Sequence, residues 1–224
     1  MKPIGPTGVY EDKGFLWTVN RVPGQKIYGE RLRASRGTEY RNWNPYRSKM
    51  AALLRSAPAT PWISPGDDVL YLGAASGTTV SHISDLTDGT IYAVEFSSRS
   101  ARDLLWNMEP RVNVVPIVED AGRPERYQAY IPGPVGALIQ DVAQRHQVEI
   151  FLRNLPLLSP KGYGFLFVKA RSIRVSGSLL EIYDEVRRGL VAAGVEVVLE
   201  ADLEPFERDH RAFVVRRGSS PGVA

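Results

Sequence analysis

The stretch Asp68-Val-Leu-Tyr-Leu-Gly-Ala-Ala-Ser-Gly-Thr-Thr-Val-Ser-His82 decides the fold. Pro65-Gly66-Asp67 breaks the chain ahead of it, and Val69 to Leu72 is a short apolar run, the pattern of a parallel strand covered on both faces. From Gly73 to Gly77 every side chain is small, so the chain can turn tightly and a ligand can reach the backbone. Thr78 and Thr79 then open a helix whose first N–H groups have no partner inside it. Such a turn suits a carboxylate or a phosphate. Read alone, it also fits close strand-to-helix packing with no ligand.

Downstream the chain alternates strand and helix. Strands are expected at Thr90 to Glu95, Val112 to Val118, Val135 to Gln140 and Gly164 to Val168, with helices at Ser98 to Glu109, Gln147 to Leu158 and Leu179 to Ala193. Val195 to Leu199 and Arg211 to Val215 read as a final strand pair. Repeated β-α units imply a mostly parallel sheet with helices on both faces.

Ligands of such sheets collect outside the carboxyl ends of the strands. Glu95, Asp120, Asp141 and Lys169 all fall at strand ends, together with the glycine turn. An acid about 20 residues past the turn is placed to bind ribose hydroxyls, a feature shared by dinucleotide-binding and adenosylmethionine-binding folds. The turn Gly-Ala-Ala-Ser-Gly departs from a strict G-x-G-x-x-G, and Asp120 could read an adenine amino group; both favour adenosylmethionine.

Upstream, Gly8 to Glu11, Phe15 to Val19 and Gln25 to Tyr28 are short β-like runs broken by Lys13-Gly14 and Pro23-Gly24, as in a small antiparallel meander. A helix is expected over Tyr46 to Arg55, followed by a proline-rich connector, so the chain divides into a small β domain, 1–46, and an α/β domain, 47–224.

Composition bounds the chemistry. The 224 residues contain no cysteine and three scattered histidines, His82, His146 and His210, which excludes disulfides and thiol catalysis and leaves no metal site to expect. No apolar run approaches transmembrane length and no signal peptide is visible, so an intracellular, cytoplasmic protein is expected. The net charge of +3 conceals a basic segment: Lys13 to Arg55 holds ten Lys or Arg against Glu30 and Glu39, or +8. Interleaved aromatics make that segment suitable for phosphate contacts with stacking, or for a solvated face over core aromatics.

Tyr71 to His82, Ile91-Tyr-Ala-Val-Glu-Phe-Ser97, Asp141-Val-Ala-Gln144, Lys169-Ala-Arg-Ser-Ile173 and Leu203-Glu-Pro-Phe-Glu-Arg-Asp-His210 together resemble the fibrillarin family in its archaeal form, in order from about Gly8 to Val215. The resemblance implies an adenosylmethionine-dependent methyltransferase sheet behind a small N-terminal β domain, and 2′-O-methylation of ribose in rRNA and tRNA within a box C/D guide ribonucleoprotein. It implies a guide RNA, a Nop-family scaffold protein and a kink-turn-binding protein as partners.

The family pattern places Thr78 and Thr79 on the methionine end of the cofactor, Glu95 and Phe96 on ribose and adenine, Asp120 and Ala121 on adenine, and Asp141, Val142, Ala143 and Gln144 along the remaining side. Its Lys-Asp-Lys-His catalytic set maps onto Lys49, Asp141, Lys169 and His210. Ile139, Arg145, Ser98 and Arg174 depart from the pattern, which bears on local RNA or partner contacts. A 2′-hydroxyl is a weak nucleophile, so it must be aligned with the sulfonium methyl and relieved of its proton. Lys169 would stabilise the developing charge or accept the proton, Asp141 would orient it, and Lys49 and His210 would complete the rim. Two other readings are a nicotinamide-dependent oxidoreductase and a non-catalytic RNA-binding scaffold with a vestigial pocket.

Overall fold

The computed structural model describes residues 1–5 and 8–217, so residues 6–7 and 218–224 of the two expected domains lie outside the described residues. The N-terminal strands are β1 (Lys2–Pro3), β2 (Val9–Asp12), β3 (Phe15–Val19), β4 (Leu32–Ser35) and β5 (Thr38–Trp43). They form one antiparallel sheet in the order β1-β2-β3-β5-β4. The expected strand at Gln25 to Tyr28 is absent, because the amides of Ile27 and Tyr28 donate to the Glu30 carboxylate at 3.1 and 2.9 Å instead of to a neighbouring strand. In its place β4 and β5 make a hairpin through Arg36 and Gly37, with φ of 52° and 78°, the left-handed pair that a two-residue hairpin turn requires.

The remaining elements are α1 (Lys49–Ser56), β6 (Val69–Leu72), α2 (Thr78–Leu86), β7 (Ile91–Val94), α3 (Ser98–Met108), β8 (Val114–Ile117), β9 (Val135–Gln140), α4 (Gln147–Asn154), β10 (Leu158–Lys169), α5 (Ala170–Ile173), α6 (Leu179–Ala192), β11 (Val195–Asp202) and β12 (His210–Arg217). The seven strands β6 to β12 form one sheet in the order β11-β12-β10-β9-β6-β7-β8. The five from β8 to β10 are parallel, and β12 and β11 are antiparallel additions at one edge. Helix α4 stops earlier than expected because Pro156 cannot continue it, and a short 3-10 turn leads into a longer β10.

Alternation along the strands splits the interior into two layers. Val69, Tyr71, Ala137, Ile139, Phe165 and Phe167 face α1, α2 and α3 together with Val9, Leu16 and Trp43 of the small sheet. Leu70, Leu72, Leu138, Leu166 and Val168 face α4 and α6. Each fully buried aliphatic or phenyl side chain contributes on the order of 1.5–3 kcal/mol. The small sheet therefore shares a core with the large one.

A buried polar network reinforces that junction. Arg41 of β5 pairs with Glu30, and its Nη1 reaches Asp85 of α2 at 3.3 Å. Arg111 reaches the other Asp85 oxygen at 2.8 Å, and all three side chains of the Arg41–Asp85–Arg111 group are fully buried. The Thr18 hydroxyl donates to Asp85 at 2.8 Å and so accepts from His82 Nδ1 at 2.9 Å, while the Tyr28 hydroxyl, which donates to Asn42 O at 2.7 Å, lies 2.9 Å from Nε2 on the other side of the ring. Burial first, then Arg41 and Arg111, hold the His82 pKa well below its ordinary 6.5.

From β6 the chain passes to β7 and β8 on one side, then returns to β9 on the other. The crevice outside the carboxyl ends of β6 and β9 is the switch point, where an open α/β sheet binds its ligand.

Candidate active site

At that crevice the glycine turn brings two strand ends together. Gly73 has φ of 82°, and a Cβ there would lie 2.3 Å from the Asp141 carbonyl oxygen, so only glycine lets the end of β9 approach. Asp141 N–H donates to Leu72 O at 2.9 Å, continuing the β6–β9 ladder into the turn. Asp141 lies on the same face of the sheet as Tyr71 and Ile139 by strand alternation. Burial, and the Asp141 charge beside it, keep the Tyr71 hydroxyl protonated.

Lys49 arrives from the facing helix. Its Nζ is 2.9 Å from Asp141 Oδ1 and 3.0 Å from Oδ2, an ion pair closed over 92 positions of sequence. Ser48 fixes the start of that helix, accepting from Ala51 N–H, and its Oγ in turn accepts from the Thr79 hydroxyl at 3.0 Å. The start of α1 and the first turn of α2 are thus joined.

Lys169 and His210 are register partners on β10 and β12, so their side chains leave the sheet on the same face, that of Phe165 and Phe167. Lys169 is exposed at the strand end. Its N–H donates to Gln147 Oε1 at 2.9 Å and its carbonyl accepts from Gln147 Nε2 at 3.1 Å, so a fully buried glutamine clamps both backbone groups. The same Nε2 reaches Gln144 O at 2.9 Å, tying Lys169 to the Asp141–Gln144 loop.

His210 Nδ1 donates to Arg208 O at 2.6 Å, which leaves Nε2 as an acceptor. Burial, followed by the Lys49 charge and against the pull of the Arg208 carbonyl, lowers its pKa from 6.5. The imidazole is neutral at pH 7. Lys49, Asp141, Lys169 and His210, predicted as a set, all lie at the carboxyl ends of β9 and β10, where Lys49 meets Asp141 and Lys169 stands beside His210.

Beside them runs a cleft of about 220 Å³ lined by Gly73, Ala75, Glu95, Phe96, Ala121 and the loop Asp141 to Gln144. Glu95 bridges its floor, accepting from Ala75 N–H at 2.8 Å and from Ser97 N–H at 2.7 Å. Ala75 is held at φ of 49°, a conformation that costs a non-glycine residue energy and that this bond helps to hold. Phe96 is 69% exposed, its ring free to cover a flat group. Three expected cofactor residues stand off the cleft wall. Thr78 opens α2, Thr79 turns its hydroxyl to Ser48, and Asp120 folds back to accept from Gly122 N–H at 2.8 Å.

Ser48 and Gln147 were not anticipated as site residues. Ser48 carries a legible signal, a serine just before a helical run, whereas nothing local marks a glutamine that clamps a strand 22 residues away. The departures from the family pattern are dispersed. Ile139 is buried in the core, Arg145 is exposed beyond the loop, Ser98 opens α3 behind the capping Ser97, and Arg174 pairs with Glu185 at 3.4 Å.

The strand order, the glycine turn and the acid-lined cleft define an adenosylmethionine-dependent methyltransferase fold with a small antiparallel sheet attached. The chain belongs to the fibrillarin family, whose model, described as Fibrillarin, matches residues 6–219. It is 48% identical over 218 residues to the fibrillarin-like rRNA/tRNA 2′-O-methyltransferase of Thermococcus gammatolerans, covering 94% of this chain and 96% of that one. The crystal structure of Aeropyrum pernix fibrillarin with natively bound S-adenosyl-L-methionine matches at 42% identity and a TM-score of 0.84, over 93% of this chain and 94% of that one. A fibrillarin/Nop5p complex structure matches at 34% identity and a TM-score of 0.87, over 96% and 100%.

Proposed function

We propose that this chain transfers the methyl group of S-adenosyl-L-methionine to ribose 2′-hydroxyls of rRNA and tRNA, as the catalytic subunit of a box C/D guide ribonucleoprotein. The observation that carries this reading is the convergence of Lys49, Asp141, Lys169 and His210 beside an acid-lined cleft, in a chain of this family.

The cleft suits the cofactor's chemistry. Glu95 offers a carboxylate to a ribose diol, Phe96, Ala121 and Val142 offer apolar walls to an adenine, and Asp141 offers negative charge beside a sulfonium. Val142, Ala143 and Gln144 would close the remaining side, with Thr78, Thr79 and Asp120 supporting the two ends. Bound adenosylmethionine supplies an electrophilic methyl on positively charged sulfur.

The protein's own task is then to present a 2′-oxygen in line and to take up its proton. Asp141, pinned by Lys49, is a fixed acceptor for that hydroxyl, which converts a loose encounter into an aligned one. Lys169, held through its backbone by Gln147, sets a positive charge against oxygen as negative charge develops. Neutral His210 presents Nε2 as a further acceptor through which the proton can leave.

The family complex with Nop5p supports a Nop-family scaffold as partner. We assign target choice to a guide RNA and assembly to a kink-turn-binding protein, and place the complex in the cytoplasm. No helix of the described residues is long and apolar enough to cross a membrane. We also take 1–46 and 47–224 as the two structural units, folded on a common core. The decisive experiment is transfer of labelled methyl to a substrate RNA in the assembled complex, against the same RNA with 2′-deoxy at the targeted nucleotide. Transfer lost with that single oxygen fixes the acceptor atom, and absence of transfer despite cofactor binding and assembly would leave the scaffold reading.

A further inference from the structure

Three concavities larger than the cofactor cleft lie around the small sheet. One of about 280 Å³ opens between that sheet and the loop before α1, and a second, of about 410 Å³, adjoins it along Phe15. A third, of about 270 Å³, shares Asn42 and Asn44 with the first, and Arg31 borders all three. Together they form one groove.

The charge lining this groove is selective. Of the ten cations in the basic segment, Arg21, Arg33, Arg41, Lys49 and Arg55 are paired with acids, which removes them from the pool available to a ligand. Among the described residues Lys13, Lys26, Arg31, Arg36 and Arg47 have no acid partner, and all of these except Arg36 line the groove. Two aromatic rings are exposed between them. Phe15 is 42% exposed with the Arg31 guanidinium 4.5 Å from its ring centre, and Tyr46 is 59% exposed with its edge against Phe206 at 5.2 Å. Solvated apolar rings are costly for a monomer to maintain, and alternating them with uncompensated cations matches a polymer of phosphates and bases.

The groove shares chain segments with the active site. Tyr46 lies three residues before Lys49, and Phe206 four residues before His210, so its wall is built from the two segments that carry the catalytic rim.

We propose that the groove holds an unpaired stretch of RNA continuing from the strand that carries the methylated ribose, its phosphates against Lys13, Lys26, Arg31 and Arg47 and its bases stacked on Phe15 and Tyr46. This rests on the RNA-methylation reading for the class of ligand. The site gives the enzyme a hold on substrate beyond the guide duplex, independent of the cofactor.

The test is equilibrium binding of a short labelled single-stranded RNA to the full chain, with Arg31→Ala, Tyr46→Ala and, as control, Arg36→Ala. Tyr46→Ala weakens binding about tenfold because a base no longer stacks there, and Arg31→Ala weakens it with a salt dependence shallower by about 0.7 for each phosphate left unneutralised. Arg36→Ala binds as the parent does, and all three retain adenosylmethionine affinity. RNA carrying 4-thiouridine crosslinks to the peptides containing Phe15 and Tyr46. Arg31→Ala and Tyr46→Ala indistinguishable from Arg36→Ala, or crosslinks confined to other surfaces, overturn the proposal. Protection of the groove by the scaffold protein instead of by RNA also overturns it. Methyl transfer by the parent complex is scored separately, so failure of the chemistry and failure of this site are distinguishable.

Discussion

The Thr79 hydroxyl donates to Ser48 Oγ at 3.0 Å, joining the first turn of the helix behind the glycine turn to the N-cap of the helix that carries Lys49. Loss of an N-cap side chain costs about 1 kcal/mol, which for a chain of this size lowers Tm by about 2–4 °C. Ser48→Ala is expected to show that modest loss while reducing methyl transfer more than it weakens cofactor binding, since the Lys49–Asp141 pair loses its footing. Calorimetry beside single-turnover transfer would separate the two, and a variant with lower Tm but parental kcat would make Ser48 structural only.

Lys169→Ala removes the charge assigned to the 2′-oxygen without touching the core, because the side chain is exposed. Transfer is expected to fall by about 10²–10³-fold, the cost of losing one oriented stabiliser of developing negative charge. Adenosylmethionine affinity should stay within about twofold, since a KM effect would indicate uniform binding instead. Transfer retained at a tenth of the parent rate would remove Lys169 from the reacting centre.

Gln147→Leu strips both backbone groups of Lys169 of their partners in a buried position. Each unsatisfied group costs about 1–3 kcal/mol, so a stability loss of about 2–6 kcal/mol is expected. A readout that a merely structural role would not move is the kcat-to-KM split. With the fold intact at low temperature, kcat falls while the cofactor KM holds.

The parallel strands that organise the protein were legible in sequence for a simple reason: apolar runs bounded by turn residues record burial on both faces of a parallel sheet. The glycine turn, the strand-end acids and the sequence of β-α units all followed from that pattern. The β4–β5 hairpin was not legible, because its strands are mostly polar and its turn is Arg36-Gly37 instead of Asn-Gly. Gln25 to Tyr28 misled because Ile and Tyr favour strands, while the deciding contact comes from Glu30, whose carboxylate takes both amides. The basic segment looked uniform in sequence, yet half its cations are committed to acids as distant as Asp85 and Asp141. Local pattern reads which face is buried; it does not read which remote partner a charge will find.

Asp85→Asn tests the junction of the two sheets. It leaves the buried guanidiniums of Arg41 and Arg111 short of a counter-charge, and breaking one partner of a buried ionic group costs about 3–5 kcal/mol. Tm is expected to fall by about 6–20 °C. The small sheet and the large one should unfold in a single transition, because their core is common. Separate transitions in calorimetry would show two independently stable units.

Acid lability should begin near neutrality instead of in the carboxylate range. His82 and His210 both have pKa values lowered from 6.5, by burial first in each case. Below about pH 6.5 the unfolded chain therefore binds protons at these positions that the native chain refuses, so stability falls as pH falls, by up to about 2.7 kcal/mol per unit for two such groups. Glu30 acts in a separate window. Burial alone would raise its pKa, but Arg41 brings it below 4.5, so its contribution is present above that value and is lost as pH falls through the native one. Denaturant midpoints measured from pH 7.5 to 5 should decline, and His210→Gln should make the slope shallower. The role proposed for His210 needs a neutral imidazole, so the acid limb of methyl transfer is expected below pH 6.5, and a limb above it would mean that the imidazole is charged at rest.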